Sequence, residues 1–229
     1  MKNNKGFTIV ELMIATVVFS LVLLLALAGI MQVTRMYYKG VNQSRTQEAA
    51  RAVTDEIGET IRFTNDVVNL ASVAVTGPVV DANEDNVNYL CIGSKRYTYA
   101  IDRKLESSGS SESDKVKRHV LWVDQPDVGC VEAADLDMDE PSSGFNGREL
   151  LSENMRLARL DVNQIVALGD VFEIGITVAY GDDDTQDGGP LLLNSAGTNR
   201  ECRGFSSGSG GGEYCAVSSI AVTVERRLQ

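Results

Sequence analysis

The most prominent hydrophobic pattern is an uninterrupted apolar run near the N-terminus. Residues 12–33 contain no charged side chain, and only Thr16, Ser20 and Gln32 are clearly polar. A helix of these 22 residues would be about 33 Å long at about 1.5 Å per residue. Because the hydrocarbon core of a bilayer is about 30 Å thick, the run predicts a transmembrane helix.

The apolar pattern thins after Thr34 but keeps helical spacing as far as Asn65. Apolar residues recur at three- and four-residue steps among Arg, Gln and Glu: Ala49, Ala50, Val53, Ile57 and Ile61. This spacing predicts one long helix over residues 7–65, of which the second half presents an apolar stripe to the rest of the protein. Gly40 and Gly58 are the predicted points of bending, because glycine weakens a helix interior.

Beyond the Gly77-Pro78 pair the hydrophobic period changes to two, which is typical of strands. The predicted strands are 87–92 and 95–101, joined by a Gly93-Ser94 turn, and then 116–123, 157–165, 172–180 and 220–224. On strand 116–123, His119 and Trp122 should lie on opposite faces, with the Trp packed and the His at the surface. A long helix followed by antiparallel strands predicts an α+β fold, in which residues 66–229 form one β-rich head domain.

The charge balance disfavours nucleic acid as a partner. The 229 residues carry 21 Lys and Arg against 32 Asp and Glu, and the net charge of -11 has the wrong sign for binding phosphate backbones. The chain has a single His and four Cys without a C-x-x-C pair. No catalytic cluster is suggested, so the sequence predicts a protein that is not an enzyme.

Two acidic runs raise the question of a metal site. Residues 135–140 begin like a calcium loop, but Glu140 stands where an EF-hand needs Gly, and Asn146 where it needs a bidentate Glu. Residues 182–187 offer a second set of oxygen ligands. Solvated acidic loops are the preferred interpretation of both runs, so no cofactor is predicted, with calcium as the alternative.

The flanks of the apolar run predict its orientation. Lys2 and Lys5 precede it without an acid between them, so the positive-inside rule keeps the N-terminus in the cytoplasm and places residues after 33 outside it. An even number of Cys suits such an oxidising space. A cleaved secretory signal is disfavoured, because its apolar region usually has about 7 to 15 residues and no small-x-small site closes this one. Neither a signal nor a plain anchor explains Glu11, an acid at the head of the apolar stretch.

The segment Lys5-Gly6-Phe7-Thr8-Ile9-Val10-Glu11-Leu12 resembles the leader junction of type IV pilins and of type II secretion pseudopilins. The resemblance implies that residues 1–6 are a cytoplasmic leader, that prepilin peptidase cuts between Gly6 and Phe7, and that Phe7 is then N-methylated. It also implies an assembly role for Glu11, whose carboxylate would meet the terminal amine of a neighbouring subunit. The alternative is a contact with the amine of its own chain, since positions four apart share a helical face.

The resemblance implies a structural subunit with two halves to its helix. Residues 7–33 would be the transmembrane half, and the helix and β-rich head together are most like the W- and J-type minor pilins. We therefore predict a minor subunit of a type IV pilus, held in the inner membrane with its head outside the cytoplasm and then assembled into an extracellular filament. Expected partners are other pilin subunits, prepilin peptidase and the inner-membrane assembly machinery. The alternatives are a minor pseudopilin of a type II secretion system, and a pilus-tip adhesin or DNA-capture subunit.

Four Cys allow three disulfide connectivities, and spacing alone does not choose among them. Cys202 and Cys215 bracket a Gly-rich loop before the last predicted strand, which resembles the C-terminal disulfide loop of many pilins. The resemblance implies a bridge between these two and leaves Cys91 to pair with Cys130. Free buried thiols are the alternative.

Overall fold

The computed structural model describes residues 7–64, 79–80, 86–101, 106–108, 116–125, 147–165, 170–181, 191–193, 200–202 and 214–227. The first element is a single helix, α1 (Ile9–Phe63), of 55 residues. The uncharged run and the amphipathic stretch that follows it therefore belong to one continuous helix. Neither Gly40 nor Gly58 interrupts it.

Twelve strands follow α1 in the described part of the chain. Their bounds are β1 Val79–Val80, β2 Asn86–Ile92, β3 Lys95–Ala100, β4 Glu106–Ser108, β5 Val116–Arg118, β6 Leu121–Asp124, β7 Arg148–Glu149, β8 Met155–Gln164, β9 Val171–Tyr180, β10 Leu191–Leu193, β11 Arg200–Cys202 and β12 Ala216–Glu225. The two main sheets have the orders β1-β2-β3-β6-β7 and β12-β9-β8, and every strand pairing in them is antiparallel. Strand β4 pairs with β5, and β10 with β11.

The C-terminal half of α1 packs on one face of the β12-β9-β8 sheet. Its buried residues recur at three- and four-residue steps: Thr46, Ala50, Val53, Thr54, Ile57 and Ile61. Alternate residues of β9 face them and are also buried: Phe172, Ile174, Ile176 and Val178. The same hydrophobic core includes Leu90, Tyr97 and Leu121 of the larger sheet. One core thus joins the helix to both main sheets.

Strand β12 runs alongside α1 in the same direction. Near its start, Ser218 Oγ lies 2.7 Å from Thr46 Oγ1 and accepts a hydrogen bond from Gln43 Nε2 at 3.0 Å. Near its end, Val224 lies so close to Gly58 that a Cβ there would be 3.2 Å from Val224 Cγ2. From Ser218 to Val224 the strand rises about 20 Å, and from Thr46 to Gly58 the helix rises about 18 Å. The two elements therefore stay level with each other along this contact.

A polar cluster connects α1 to the larger sheet. The Glu56 carboxylate accepts a hydrogen bond from Lys95 Nζ at 2.8 Å and from Arg148 Nη2 at 2.7 Å. One turn further along the helix, Thr60 Oγ1 lies 2.8 Å from the hydroxyl of Tyr97. The hydrogen bond from Lys95 is the main influence that lowers the pKa of Glu56, whereas burial raises the pKa of Tyr97 to about 12. At neutral pH, Glu56 is therefore charged and Tyr97 is not.

The predicted α+β fold is confirmed, and most of the predicted strands are present. The hairpin predicted over 87–92 and 95–101 is formed by β2 and β3, with Gly93 in its turn at a positive φ of 60°. Three further predicted strands correspond to β8, β9 and β12, of which β8 begins two residues and β12 four residues earlier than predicted.

The prediction of one strand over 116–123 is wrong. The chain forms β5 and β6 instead, with His119 and Val120 between them. The Glu149 carboxylate stabilises this break, because it accepts the N–H of Val120 at 2.9 Å and lies 3.3 Å from His119 Nδ1. With the strand alternation broken, His119 and Trp122 do not face apart: their rings meet edge to face with centroids 4.5 Å apart. His119 is buried rather than at the surface.

Replacing Gly58 with Leu should destabilise the head, because the new side chain would overlap Val224 on β12. Overpacking of this kind costs about 1 to 3 kcal/mol. Gly40→Leu is the matched control, since no atom lies within 4 Å of a Cβ built at Gly40. Denaturant unfolding in detergent, followed by Trp122 fluorescence, should give a lower midpoint for Gly58→Leu alone. Equal midpoints would contradict the close helix–strand contact.

The acid sensitivity of the head should depend on Glu56. Because the pKa of this carboxyl is lowered by folding, it contributes stability above the ordinary value of 4.5 and loses that contribution as the pH falls through the lower, folded value. Glu56→Gln should therefore be less stable than the wild type at neutral pH and lose less stability on acidification.

Thermal unfolding of Glu56→Gln, measured from neutral to acidic pH, checks this expectation. Glu59→Gln is the matched control, because Glu59 lies on the same helix and is exposed. The prediction fails if the melting temperatures of Glu56→Gln and of the wild type fall by the same amount between neutral and acidic pH.

Candidate functional site

The first turn of α1 is closed by a reciprocal pair of side chains. Thr8 is the N-cap, and its Oγ1 accepts the Glu11 N–H at 3.3 Å. In return Glu11 Oε2 accepts the Thr8 N–H at 2.9 Å and the Thr8 hydroxyl at 2.8 Å. This capping box pairs donors that a helix start otherwise leaves unpaired. It also holds the Glu11 carboxylate at the positive end of the helix dipole.

Glu11 lies on an apolar stripe of α1. Seven residues line one shallow groove along the helix: Phe7, Glu11, Ile14, Ala15, Val18, Phe19 and Val22. Residues at three- and four-residue steps share a helical face, so the carboxylate interrupts an otherwise apolar line. The sequence has no other Asp or Glu between residues 7 and 40.

The N-terminal half of α1 is not covered by the described parts of the fold. Every residue from 7 to 40 is exposed, and the buried residues of the helix begin at Asn42. The exposed side chains include large apolar ones, such as Phe7 at 79% and Leu25 at 75%. Soluble monomers rarely expose an apolar patch of this size, so a second apolar environment must cover it. Within the described residues, α1 is the one helix long and apolar enough to cross a membrane.

Sequence reasoning identified Glu11 but missed Thr8. The signal was present, because Thr8-x-x-Glu11 ahead of an apolar run is the pattern of a capping box. Phe7 directly precedes the N-cap, and Gly6 lies outside the described residues. A cut at the predicted position would therefore leave the new amine one residue before the cap, next to the turn that holds the Glu11 carboxylate.

A family model described as the prokaryotic N-terminal methylation motif matches residues 1–27. The chain carries a prokaryotic N-terminal methylation motif, the segment in which it resembles type IV pilins and pseudopilins. The match spans the predicted leader, Thr8, Glu11 and the first part of the apolar helix, and it confirms the predicted resemblance to this family. The W or J type stays a prediction. No curated protein and no solved structure matches the chain.

The methylation motif indicates the class of protein. It supports a subunit of the pilin or pseudopilin type, and subunits of that family are structural. It implies processing by a peptidase and assembly with other subunits in a membrane system. The exposed apolar half of α1 fits membrane anchoring.

The predicted cysteines fall into two groups. Cys202, at the end of β11, forms a disulfide with Cys215, directly before β12, and their Cα atoms are 5.6 Å apart. Cys91 on β2 is also disulfide-bonded. Its predicted partner, Cys130, lies outside the described residues, so the pairing of Cys91 with Cys130 stays a prediction.

The acidic runs considered for calcium, residues 135–140 and 182–187, lie outside the described residues. Elsewhere, in the described ranges, no group of three or more His, Cys, Asp or Glu side chains is placed to hold a metal ion. The prediction that the protein needs no cofactor therefore stays a prediction.

Removing the Cys202–Cys215 disulfide should destabilise the C-terminal part of the head. The bond joins residues 13 apart in sequence, and a loop of that size contributes about 3 kcal/mol on the chain-entropy model. The double variant Cys202→Ala, Cys215→Ala should unfold at a correspondingly lower guanidinium concentration than the wild type in detergent. An unchanged midpoint would show that the bond contributes no stability.

Proposed function

We propose that this protein is a minor subunit of a type IV pilus. Prepilin peptidase cuts it between Gly6 and Phe7, and the new amine of Phe7 is methylated. Before assembly the subunit is anchored in the inner membrane with its head outside the cytoplasm. It then joins the filament through its N-terminal helix. The observation that carries this proposal is a single carboxylate, Glu11, on the apolar face of a helix half that the described fold does not cover.

The uncovered helix half needs an apolar environment at both stages. The length of a helix over residues 12–33 matches the thickness of the hydrocarbon core of a bilayer, so lipid covers this segment before assembly. In a filament the same faces pack against the equivalent helices of neighbouring subunits. The C-terminal half of α1 cannot take part in this exchange, because β9 and β12 already bury its apolar stripe.

When contacts with neighbouring helices replace those with lipid, Glu11 sets the axial register between the helices. A carboxylate buried among apolar helices is costly unless a cation faces it, and the methylated amine of Phe7 is a cation at the same end of the helix. Pairing of Glu11 with the amine of a neighbouring subunit satisfies both charges only when the two helices have one axial offset. The capping box is compatible with this role, because Glu11 Oε2 makes the Thr8 contacts and a carboxylate has further acceptor positions.

Two observations support the choice among related functions. The net charge of -11 argues against capture of DNA by the head. A head of this size above a long helix resembles W- and J-type minor pilins more than a small major pilin, which supports a minor role. A minor pseudopilin shares the same processing and the same helix, so its distinguishing feature is location: a pilus subunit appears in filaments sheared from the cell surface.

The role of Glu11 can be separated into charge and cap with two variants. Glu11→Gln keeps a side chain that serves in a capping box but removes the charge. Thr8→Val removes the cap hydroxyl but keeps the charge. We expect both to insert and to be cleaved, and we expect Glu11→Gln to fall at least about tenfold in sheared filaments, as loss of one buried ion pair of about 1.4 kcal/mol or more requires.

The measurement is quantitative immunoblotting of the sheared fraction against the membrane fraction for each variant. Thr8→Val should enter filaments nearly as well as the wild type. Normal incorporation of Glu11→Gln, together with poor incorporation of Thr8→Val, would show that the pair acts only as a helix cap and would refute the register role.

A further inference from the structure

Three tyrosines meet where the exposed helix half enters the head. Tyr37 and Tyr38 of α1 have ring centroids 6.0 Å apart, and Tyr38 is 5.8 Å from the ring of Tyr214. Tyr214 belongs to the head and directly precedes Cys215, whose disulfide fixes the start of β12. Despite these contacts the rings remain open to their surroundings, with exposures of 67% for Tyr37, 44% for Tyr38 and 52% for Tyr214. We refer to these three residues as the tyrosine cluster.

The height of the cluster can be measured along α1. Tyr38 lies five residues beyond Val33, the last residue of the uncharged run, which corresponds to about 7.5 Å. The headgroup layer on each side of a bilayer is about 5 to 8 Å thick, given a hydrocarbon core of about 30 Å within a total of about 40 to 45 Å. Helical side chains also point back toward the N-terminus, so the ring of Tyr38 reaches below its own Cα. The cluster therefore lies within the headgroup layer when residues 12–33 span the hydrocarbon.

We propose that the tyrosine cluster is a lipid-binding surface that seats the base of the head in the outer headgroup layer of the membrane. This inference rests on the membrane-borne stage of the proposed function. Tyrosine suits the position because its ring is apolar and its hydroxyl remains hydrated, which is why tyrosine is enriched at membrane interfaces. Arg35 and Lys39 lie within one turn of Tyr38, so positive charge stands beside the cluster.

The contribution of Tyr214 distinguishes this surface from an ordinary flank of a transmembrane helix. Tyr37 and Tyr38 alone would anchor only the helix. Because Tyr214 packs on Tyr38 and is joined through the disulfide to β11, insertion of the cluster also fixes the end of the head that carries the Cys202–Cys215 loop. Phe63, at the C-terminal end of α1, is about 38 Å further from the membrane than Tyr38 along the helix axis.

The test uses tryptophan as a depth reporter in the full chain, processed and reconstituted in vesicles of phosphatidylcholine and phosphatidylglycerol. Tyr214→Trp and Phe63→Trp are compared with the wild type, which contains only Trp122. Lipids brominated near the headgroup should reduce the additional emission of Tyr214→Trp by roughly half, since an interfacial ring lies within reach of such bromines. Phe63→Trp and the wild type should be unaffected.

A second measurement needs no substitution. Phe63 and Tyr214 have similar exposures, 62% and 52%, so the fold alone predicts similar hydroxyl-radical labelling of the two side chains. In vesicles we expect the label on Tyr214 to be several-fold lower than that on Phe63. Equal labelling in carbonate-resistant vesicles, or a lack of quenching in the Tyr214→Trp variant, would overturn the lipid-binding surface while leaving the membrane anchor intact.

Three other outcomes would also count against the proposal. Protection of Tyr214 that disappears when the chain is diluted to single copies per vesicle would assign the cluster to a neighbouring subunit and overturn the lipid-binding surface. Quenching of the Phe63→Trp variant as strong as that of the Tyr214→Trp variant would contradict the proposal that Tyr214 lies at the membrane and Phe63 far from it. A chain that carbonate extracts from the vesicles would defeat the membrane-borne stage itself, and the lipid-binding surface with it.

Discussion

The architecture depends on one unmet requirement: the N-terminal half of α1 is apolar, and the described fold does not cover it. Residues 7–40 are all exposed, although one face of the same helix is buried from Asn42 onward. A protein with such a helix half is stable only in a lipid or protein environment that supplies the missing contacts. The single acid on that half, Glu11, limits which environments are suitable, because a buried carboxylate needs a cation as well as apolar neighbours.

The head contacts this helix through both main sheets. Strand β12 follows α1 from Ser218 to Val224, and the absence of a side chain at Gly58 makes room for that of Val224. On the other sheet, Glu56 connects the helix to Lys95 and Arg148. Because the helix contacts both sheets, an environment that holds the N-terminal half of α1 in place also holds the head in place. In the proposed function, a filament that holds the N-terminal half of α1 would therefore also set the position of the head.

Local patterns in the sequence were sufficient to predict the helix, the β2–β3 hairpin and the apolar face of β9. In each of these the spacing of apolar side chains follows from the geometry of the element itself. The break between β5 and β6 could not be predicted, since it depends on Glu149, a residue 29 positions after Val120 that caps the backbone from a different strand. The short strands β10 and β11 were missed for a similar reason: they form by pairing, with no periodic signal of their own. At the site, Glu11 was conspicuous by its charge, whereas the tyrosine cluster required the fold to bring Tyr214 to Tyr38.

Whether the subunit is processed and assembled as proposed can be read from the chemical identity of its N-terminus in material that has left the membrane. Surface filaments are sheared from cells, and the subunit is digested and examined by mass spectrometry. We expect an N-terminal peptide that begins at methylated Phe7, in amounts well below those of the major subunit. A peptide that still contains residues 1–6, or a protein found free of both membrane and filament, would refute the proposed processing and assembly.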